Sequence, residues 1–280
     1  MEFVIINGKV ISKKEAEPGS FLSDDVFVFT HKVWFGYGGI PLFTENIDLL
    51  KRQTESLGAQ LPELFTKPRE LFRRCKRMLN KNKFYRSGTL NFTFFITGAT
   101  IDFTITAQNR AIFDFPIAEK GLLMNIARHQ VLSSAEKGPL PVYHQSIWKT
   151  CQAELEKSVC QSSVLLNEKG FVCEAIRSNL FVVKNKVLFT PSFSTGCYCD
   201  IFRPLILELA EKMQIKLVES DELTAEVLRT ADELFLISEA KGLQWVLGIE
   251  NKRFVRDLSL KFHELINVVL EEKVQLTNSF

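Results

Sequence analysis

Four short runs rich in β-branched, aromatic and other apolar residues follow closely on one another between positions 163 and 189. Residues 163–166 and 171–173 read as strands around Lys169-Gly170, and 180–183 with 187–189 as a hairpin around Asn185-Lys186. Helical periodicity frames them, with helices expected over 146–159, 202–213 and 225–229, a strand over 233–237 and a closing amphipathic helix over 258–272. A segment that alternates in this way folds as a β-rich α/β body.

The first part of the chain has its own pattern. Asn7-Gly8 within the run 3–10 is a strong hairpin signal, and a β-rich stretch follows over 26–35. Helices are expected over 45–57 and 68–80, then a paired ribbon of strands 89–95 and 101–107 around Gly98. We therefore expect two domains, a smaller α+β domain over 1–118 and a larger one over 119–280, with a Ser/Gly/Pro-rich loop at 133–140 near the start of the second. No internal repeat or low-complexity tract is visible.

Lys and Arg total 35 against 33 Asp and Glu, so a net charge of +2 creates no field that would draw nucleic acid or an anionic membrane. The 24 phenylalanines, dense over 84–115, lack the basic stripe of a base-stacking platform and suit a sheet core. No basic leader opens the chain and no run approaches a spanning helix, so a cytoplasmic protein is expected. Its six cysteines are read as reduced thiols. Cys197-x-Cys199 has no second ligand pair, so no metal is expected. There is no Gly-x-Ser-x-Gly, phosphate-binding lysine loop or His-Glu-x-x-His.

The stretch Leu165-Leu166-Asn167, Gly170, Glu174 and Ser178-Asn179-Leu180-Phe181 closely resembles the motif of class IV pyridoxal-phosphate enzymes, the branched-chain and D-amino-acid aminotransferases and aminodeoxychorismate lyases. Leu188-Phe189-Thr190-Pro191, Arg203 and Ala231-Asp232-Glu233-Leu234-Phe235-Leu236 continue the resemblance in the family's order. Ile6-Asn7-Gly8-Lys9 and the region from Val26 to Leu57 extend it more loosely upstream. The resemblance implies the two-domain D-amino-acid-aminotransferase-like fold, α/β (α+β) in class. It also implies a homodimer and a small-molecule site in a cleft between the domains.

In such a family the cofactor carries the carbanion chemistry, and the protein supplies a Schiff-base lysine, a carboxylate for the pyridinium nitrogen and a phosphate cradle. Glu174 falls on the carboxylate position. An alternative is that Glu174 is a strand residue kept for a structural hydrogen bond, because a buried carboxylate needs a partner whatever the function. The lysine, roughly 33 or 34 residues earlier in the family, falls here on Leu140 or Pro141, and the residue that touches the ring hydroxyl falls on Gln145. Neither Leu140 nor Pro141 forms an imine, which leaves Lys137 and Lys149 as fallbacks or as solvated surface charges. The cradle positions fall on Leu49 in place of an arginine, on Asp200-Ile201-Phe202, and on Ser238-Glu239. Leu49 removes a guanidinium, while Asp200 and Glu239 bring negative charge, and one like-charge pair at about 4 Å costs roughly 4 kcal/mol at an effective dielectric near 20.

Two expectations stand side by side. One is a divergent member that kept the fold and lost pyridoxal-phosphate chemistry, with Leu49, Asp200, Phe202 and Glu239 converging on a site that favours a cation, an amine or nothing. The other is a working transaminase or aminodeoxychorismate-lyase-like enzyme with a relocated lysine. Unrelated acid–base chemistry at Asp200, Glu239, Glu174 or His144 has no distinguishing signal; a lone His144 is more often a hydrogen-bonded structural residue.

Overall fold

Positive φ at Asn7 (44°) and Gly8 (85°) makes the tight turn that joins β1 (Phe3–Ile6) to β2 (Lys9–Ser12). The computed structural model describes residues 2–15, 26–98, 100–131 and 139–278. The expected loop residues 133–138, Lys137 among them, lie outside the described residues. The chain divides into two compact units, Met1–Phe115 with Asn267–Phe280, and Pro116–Ile266.

In the first unit, β3 (Phe27–Phe35) is followed by α1 (Phe43–Ser56) and α2 (Pro68–Lys81), then by the long ribbon β4 (Ser87–Thr97) and β5 (Thr100–Arg110). The antiparallel sheet runs β2-β1-β5-β4-β3. Its core joins the phenylalanine-dense stretch to earlier elements: Phe94 stacks on Phe29 at 5.0 Å, and Phe103 meets Phe65 edge to face at 5.0 Å. In α2, Pro68 sits in the first turn, where its missing N–H costs nothing, and Leu71, Cys75, Met78 and Leu79 form the buried stripe. α1 buries Ile47, Leu49, Leu50 and Thr54 in the same way, and a polar chain ties it to β3. Asn46 donates through Nδ2 to the Leu42 carbonyl (2.8 Å), so its Oδ1 accepts from His31 Nε2 (2.6 Å), and Gln53 Nε2 donates to His31 Nδ1 (3.4 Å).

The second unit holds β6 (Leu122–Val131), α3 (Gln145–Leu155), β7 (Ser162–Asn167), β8 (Val172–Ala175), β9 (Asn179–Lys184), β10 (Val187–Pro191), α4 (Phe202–Lys212), β11 (Leu217–Ser220), α5 (Ala225–Arg229), β12 (Glu233–Ser238), β13 (Gly242–Ile249) and β14 (Lys252–Arg253). Its sheet runs β11-β10-β9-β12-β13-β6-β7-β8, with β14 on β13. β8 and β9 stand far apart in that order, yet Ile176, Arg177 and Ser178 join them. Three residues span only about 10 Å, so the sheet curls back on itself. Period-two alternation fills both faces. Leu180, Val182, Leu234 and Leu236 join Val164, Val172 and Val246 in one core, while Phe181 and Phe235 stack on the other face at 5.1 Å and Phe235 packs against Phe262.

β6 and β13 escaped the sequence reading. Asn125, Arg128 and His129 interrupt β6's apolar pattern, and its pairing with β7 shifts register between Ile126 and Gln130. β13 opens and nearly closes on glycine; Gly242 at φ 76° lies so close to the Pro116 carbonyl that a Cβ there would be 2.1 Å from it. The last helix, α6 (Leu258–Asn278), starts where Glu233 accepts N–H bonds from Asp257, Leu258 and Ser259 at 2.8–3.1 Å, a cap supplied by a strand. Its buried stripe, Phe262, Ile266, Leu270 and Val274, continues past residue 266, and the residues from Asn267 on group with the first unit. No helix among the described residues is long and apolar enough to cross a membrane.

Burial holds the His31 pKa down at about 4 against its ordinary 6.5. Below pH 6.5 the unfolded chain takes up a proton that the folded one refuses, so stability falls as pH drops from about 6.5 to about 4, by of order 3 kcal/mol in full. A His31→Gln variant should lose this slope. The check is the difference between the two proteins' melting profiles across that window; parallel profiles would contradict it.

Candidate functional site

Both faces of the candidate site are set by one loop of the second unit. After β10 the chain makes a 3-10 turn over Phe193–Thr195, reverses at Gly196 (φ 85°), and runs through Cys197, Tyr198, Cys199 and Asp200 into α4. The Cys199 N–H donates to the Pro139 carbonyl at 2.8 Å, which pins the loop to the segment that precedes α3. Leu140 and Pro141 lie in that segment, at the start of a 3-10 turn that ends at Tyr143. Leu140 is half-buried, Gln145 is half-buried at the first position of α3, and Lys149 is exposed on the same helix. Among the described residues no lysine is buried.

Glu174, on β8, is fully buried, and its carboxylate is satisfied from within the unit. Trp148 donates its indole N–H to Oε1 at 2.6 Å, His144 donates through Nδ1 to the same oxygen at 3.2 Å, and the Tyr198 backbone N–H reaches Oε2 at 2.7 Å. His144 and Trp148 stand one helical turn apart, so their rings share a face and stack at 5.5 Å, with Tyr198 edge-on to Trp148 at 4.8 Å. The Tyr198 hydroxyl is held far above the usual phenol range by burial, with Asp200 and Glu174 adding to the shift. Burial likewise raises the Cys173 thiol, and raises Cys197 to about 11, so these sulfurs stay protonated.

Asp200 anchors the second face. Its Oδ1 accepts from the Asn179 side-chain amide (2.7 Å) and the Phe202 N–H (3.0 Å), and its Oδ2 accepts from the Glu239 N–H (3.1 Å). Desolvation raises its pKa to about 6, and those N–H donors oppose the rise. Asp200, Phe202 and Glu239 meet. Donors from β9, α4 and the end of β12 close on Asp200. Ile201 precedes α4, Ser238 is buried at the end of β12 and accepts from the Lys241 N–H (3.3 Å), and Glu239 is buried beside it. Leu49 belongs to the first unit, in the buried stripe of α1.

Arg203, nearly inaccessible, donates to Thr190 Oγ1 (2.9 Å), the Pro191 carbonyl (2.6 Å) and Glu219 (2.7 Å). It locks α4 onto β10 and β11. The roles of Trp148 and Tyr198 were missed in the sequence; the i, i+4 spacing of His144 and Trp148 was the one signal available.

A family model for amino-transferase class IV matches residues 149–249, the span that carries Glu174, Asp200 and Glu239. That span is similar to the class IV aminotransferases. Over 285 residues it is 25% identical to a protein of Methanocaldococcus jannaschii provisionally named a branched-chain-amino-acid aminotransferase, covering 93% of this chain and 94% of that one. The branched-chain aminotransferase of Thermoproteus uzoniensis, solved with norvaline, shares the fold at a TM-score of 0.80 and 19% identity, covering 97% of this chain and 95% of that one. A second branched-chain amino acid aminotransferase, from T.th. and solved with N-(5'-phosphopyridoxyl)-L-glutamate, does so at 0.79 and 16%, covering 97% and 95%. Class IV chemistry is that of pyridoxal phosphate.

If Glu174 is held as a structural acceptor, Glu174→Ala strands the Trp148 and Tyr198 N–H groups at roughly 1–3 kcal/mol each. Its melting temperature should fall by several degrees, and Glu174→Gln, which keeps one acceptor oxygen, should recover part of the loss. Thermal melts of the three proteins check this; an Ala variant as stable as the parent would contradict it.

Proposed function

We propose that this chain is a divergent class IV protein that has kept the fold and given up pyridoxal-phosphate chemistry. The observation that carries the reading is the closure of Glu174 by Trp148, His144 and Tyr198. A carboxylate that keeps a pyridinium ring protonated must present an oxygen to the ring nitrogen, and here protein donors already take three of its roughly four acceptor sites and bury the group completely. Two further features support it. Leu140 and Pro141 offer no amine, and the N–H groups of Phe202 and Glu239 point at Asp200 instead of outward. The residues present do not fit the cofactor.

The alternative, a working transaminase or aminodeoxychorismate lyase with a relocated lysine, would rely on Lys149 or Lys137. Lys149 is exposed and lies about 100° around α3 from Trp148, turned away from the side that meets Glu174. Lys137 lies outside the described residues.

We carry a cytoplasmic homodimer into the same reading. The first unit supports it with exposed Phe27 and Val28 on β3, an edge strand, and with exposed Tyr85, Ile112 and Phe113. Such apolar surface suits a second copy of the chain.

The test is an absorbance titration of the purified protein with pyridoxal phosphate, followed by borohydride reduction and mass analysis. The expected result is the spectrum of free cofactor and an unmodified chain mass. A reduced pyridoxyl adduct on one lysine at stoichiometric cofactor would overturn the proposal and identify the lysine.

A further inference from the structure

The near-neutral total conceals a charge asymmetry. Between positions 67 and 86 stand nine Lys and Arg against one Glu, so the other 26 cations and 32 acids leave the rest of the chain at −6. The excess is centred on α2, whose apolar stripe of Leu71, Cys75, Met78 and Leu79 is spent on the core. Its outer side carries Arg69, Arg73, Arg77 and Lys81, all exposed and each four residues from the next. On a helix that spacing makes a row of four positive charges about 6 Å apart and about 18 Å long. Each neighbouring like-charge pair costs roughly 0.2–0.5 kcal/mol. Local carboxylates do not relieve the row: among the described residues Glu63 pairs with Lys67, Glu70 pairs with Arg74, and none reaches Arg73 or Arg77. Lys81 rests over the Phe3 ring at 4.4 Å, which holds the ammonium in place without neutralising it. Arg73, Lys76, Arg77, Asn80 and Lys81 line an open groove of about 580 Å³ together with the half-buried Phe72.

We infer that this face of α2 binds nucleic acid through its phosphodiester backbone, with Arg69, Arg73, Arg77 and Lys81 facing successive phosphates and Phe72 facing a base. A phosphodiester chain carries evenly spaced negative charges by construction, and it releases its counterions when a regular row of cations replaces them. Cations interleaved with an aromatic ring are also the groove chemistry of single-strand binders. An anionic bilayer fits less well, because the apolar residues of α2 face the core and only Phe72 is left to enter it. The chain-wide charge of +2, from which no nucleic-acid partner was expected, is an average. The field at a surface is set by charges within a Debye length, about 8–10 Å, and along α2 those are positive. This face lies in the first unit and involves neither Glu174 nor Asp200, so it stands or falls independently of the cofactor reading.

The experiment is a fluorescence anisotropy titration of a labelled oligothymidylate of about 20 nucleotides, and of a labelled duplex of the same length, from about 50 to 200 mM salt. The expected result is micromolar binding whose log–log salt slope for the single strand is about −3, the value for four phosphate contacts. Arg73→Glu with Arg77→Glu should weaken binding by roughly tenfold or more and bring the slope to about −1.4, the value for two contacts. Arg73→Gln with Arg77→Gln, which removes the charges without reversing them, should weaken it less and should not lower the melting temperature. Lys157→Glu with Lys216→Glu, exposed charges of the second unit, is the control and should change affinity by less than about threefold. Tighter binding of either nucleic acid supports the inference and tells strand from duplex. No binding of either at about 100 μM protein, an undiminished affinity in both α2 variants, or an equal loss in the control overturns it. Binding confined to phosphatidylserine vesicles run in parallel overturns it as well.

Discussion

A carboxylate removed from water has to be met by donors, and the interior of the second unit is arranged around two that are. Glu174 draws α3 and the loop before α4 inward, because Trp148, His144 and Tyr198 can reach it only if the helix and the loop close over β8. Asp200 stands two residues beyond Tyr198 and ties the same loop to β9, α4 and the end of β12. The loop's position, the stacking of His144 on Trp148 and the entry of α4 follow from meeting those two charges. Arg203, buried one residue into α4, continues the arrangement to β10 and β11.

The motif residues that made the family legible are held by scaffold interactions. Asn167 accepts the N–H groups of Lys169 and Phe171 and so shapes the turn into β8. Asp232 accepts the Asn185 N–H at the β9–β10 turn, where Asn185 and Lys186 both take positive φ, and Glu233 caps α6. Thr190 donates to the Leu180 carbonyl and accepts from Arg203. The positions that depart from the pattern, among them Leu140, Pro141, Leu49 and Asp200, are those at which the resemblance implied cofactor contacts.

Local signals carried most of the fold. Asn7-Gly8, the ribbon around Gly98 and the helical stripes of α1 and α2 each depend on neighbouring residues, and a sequence displays neighbours. β6, with parallel neighbours on both sides and a register shift, depends on strands distant in the chain and did not show. The site was half legible for the same reason. The resemblance named Asp200, Phe202 and Glu239 together, with Leu49. That Asp200 would be the anion in its own donor set could not be read in advance, because Asn179 and Glu239 lie 21 and 39 residues away from it. Trp148 and Tyr198, 26 and 24 residues from Glu174, were hidden in the same way.

The central claim is that Glu174, buried under the protein's own donors, serves them and not a cofactor ring. A crystal structure grown in saturating pyridoxal phosphate tests it most directly. The account predicts Trp148 Nε1, His144 Nδ1 and the Tyr198 N–H still on Glu174, with Asp200 still bridging the N–H groups of Phe202 and Glu239. A pyridine nitrogen within hydrogen-bond distance of Glu174, or a phosphate on those two N–H groups with Asp200 displaced, would contradict it.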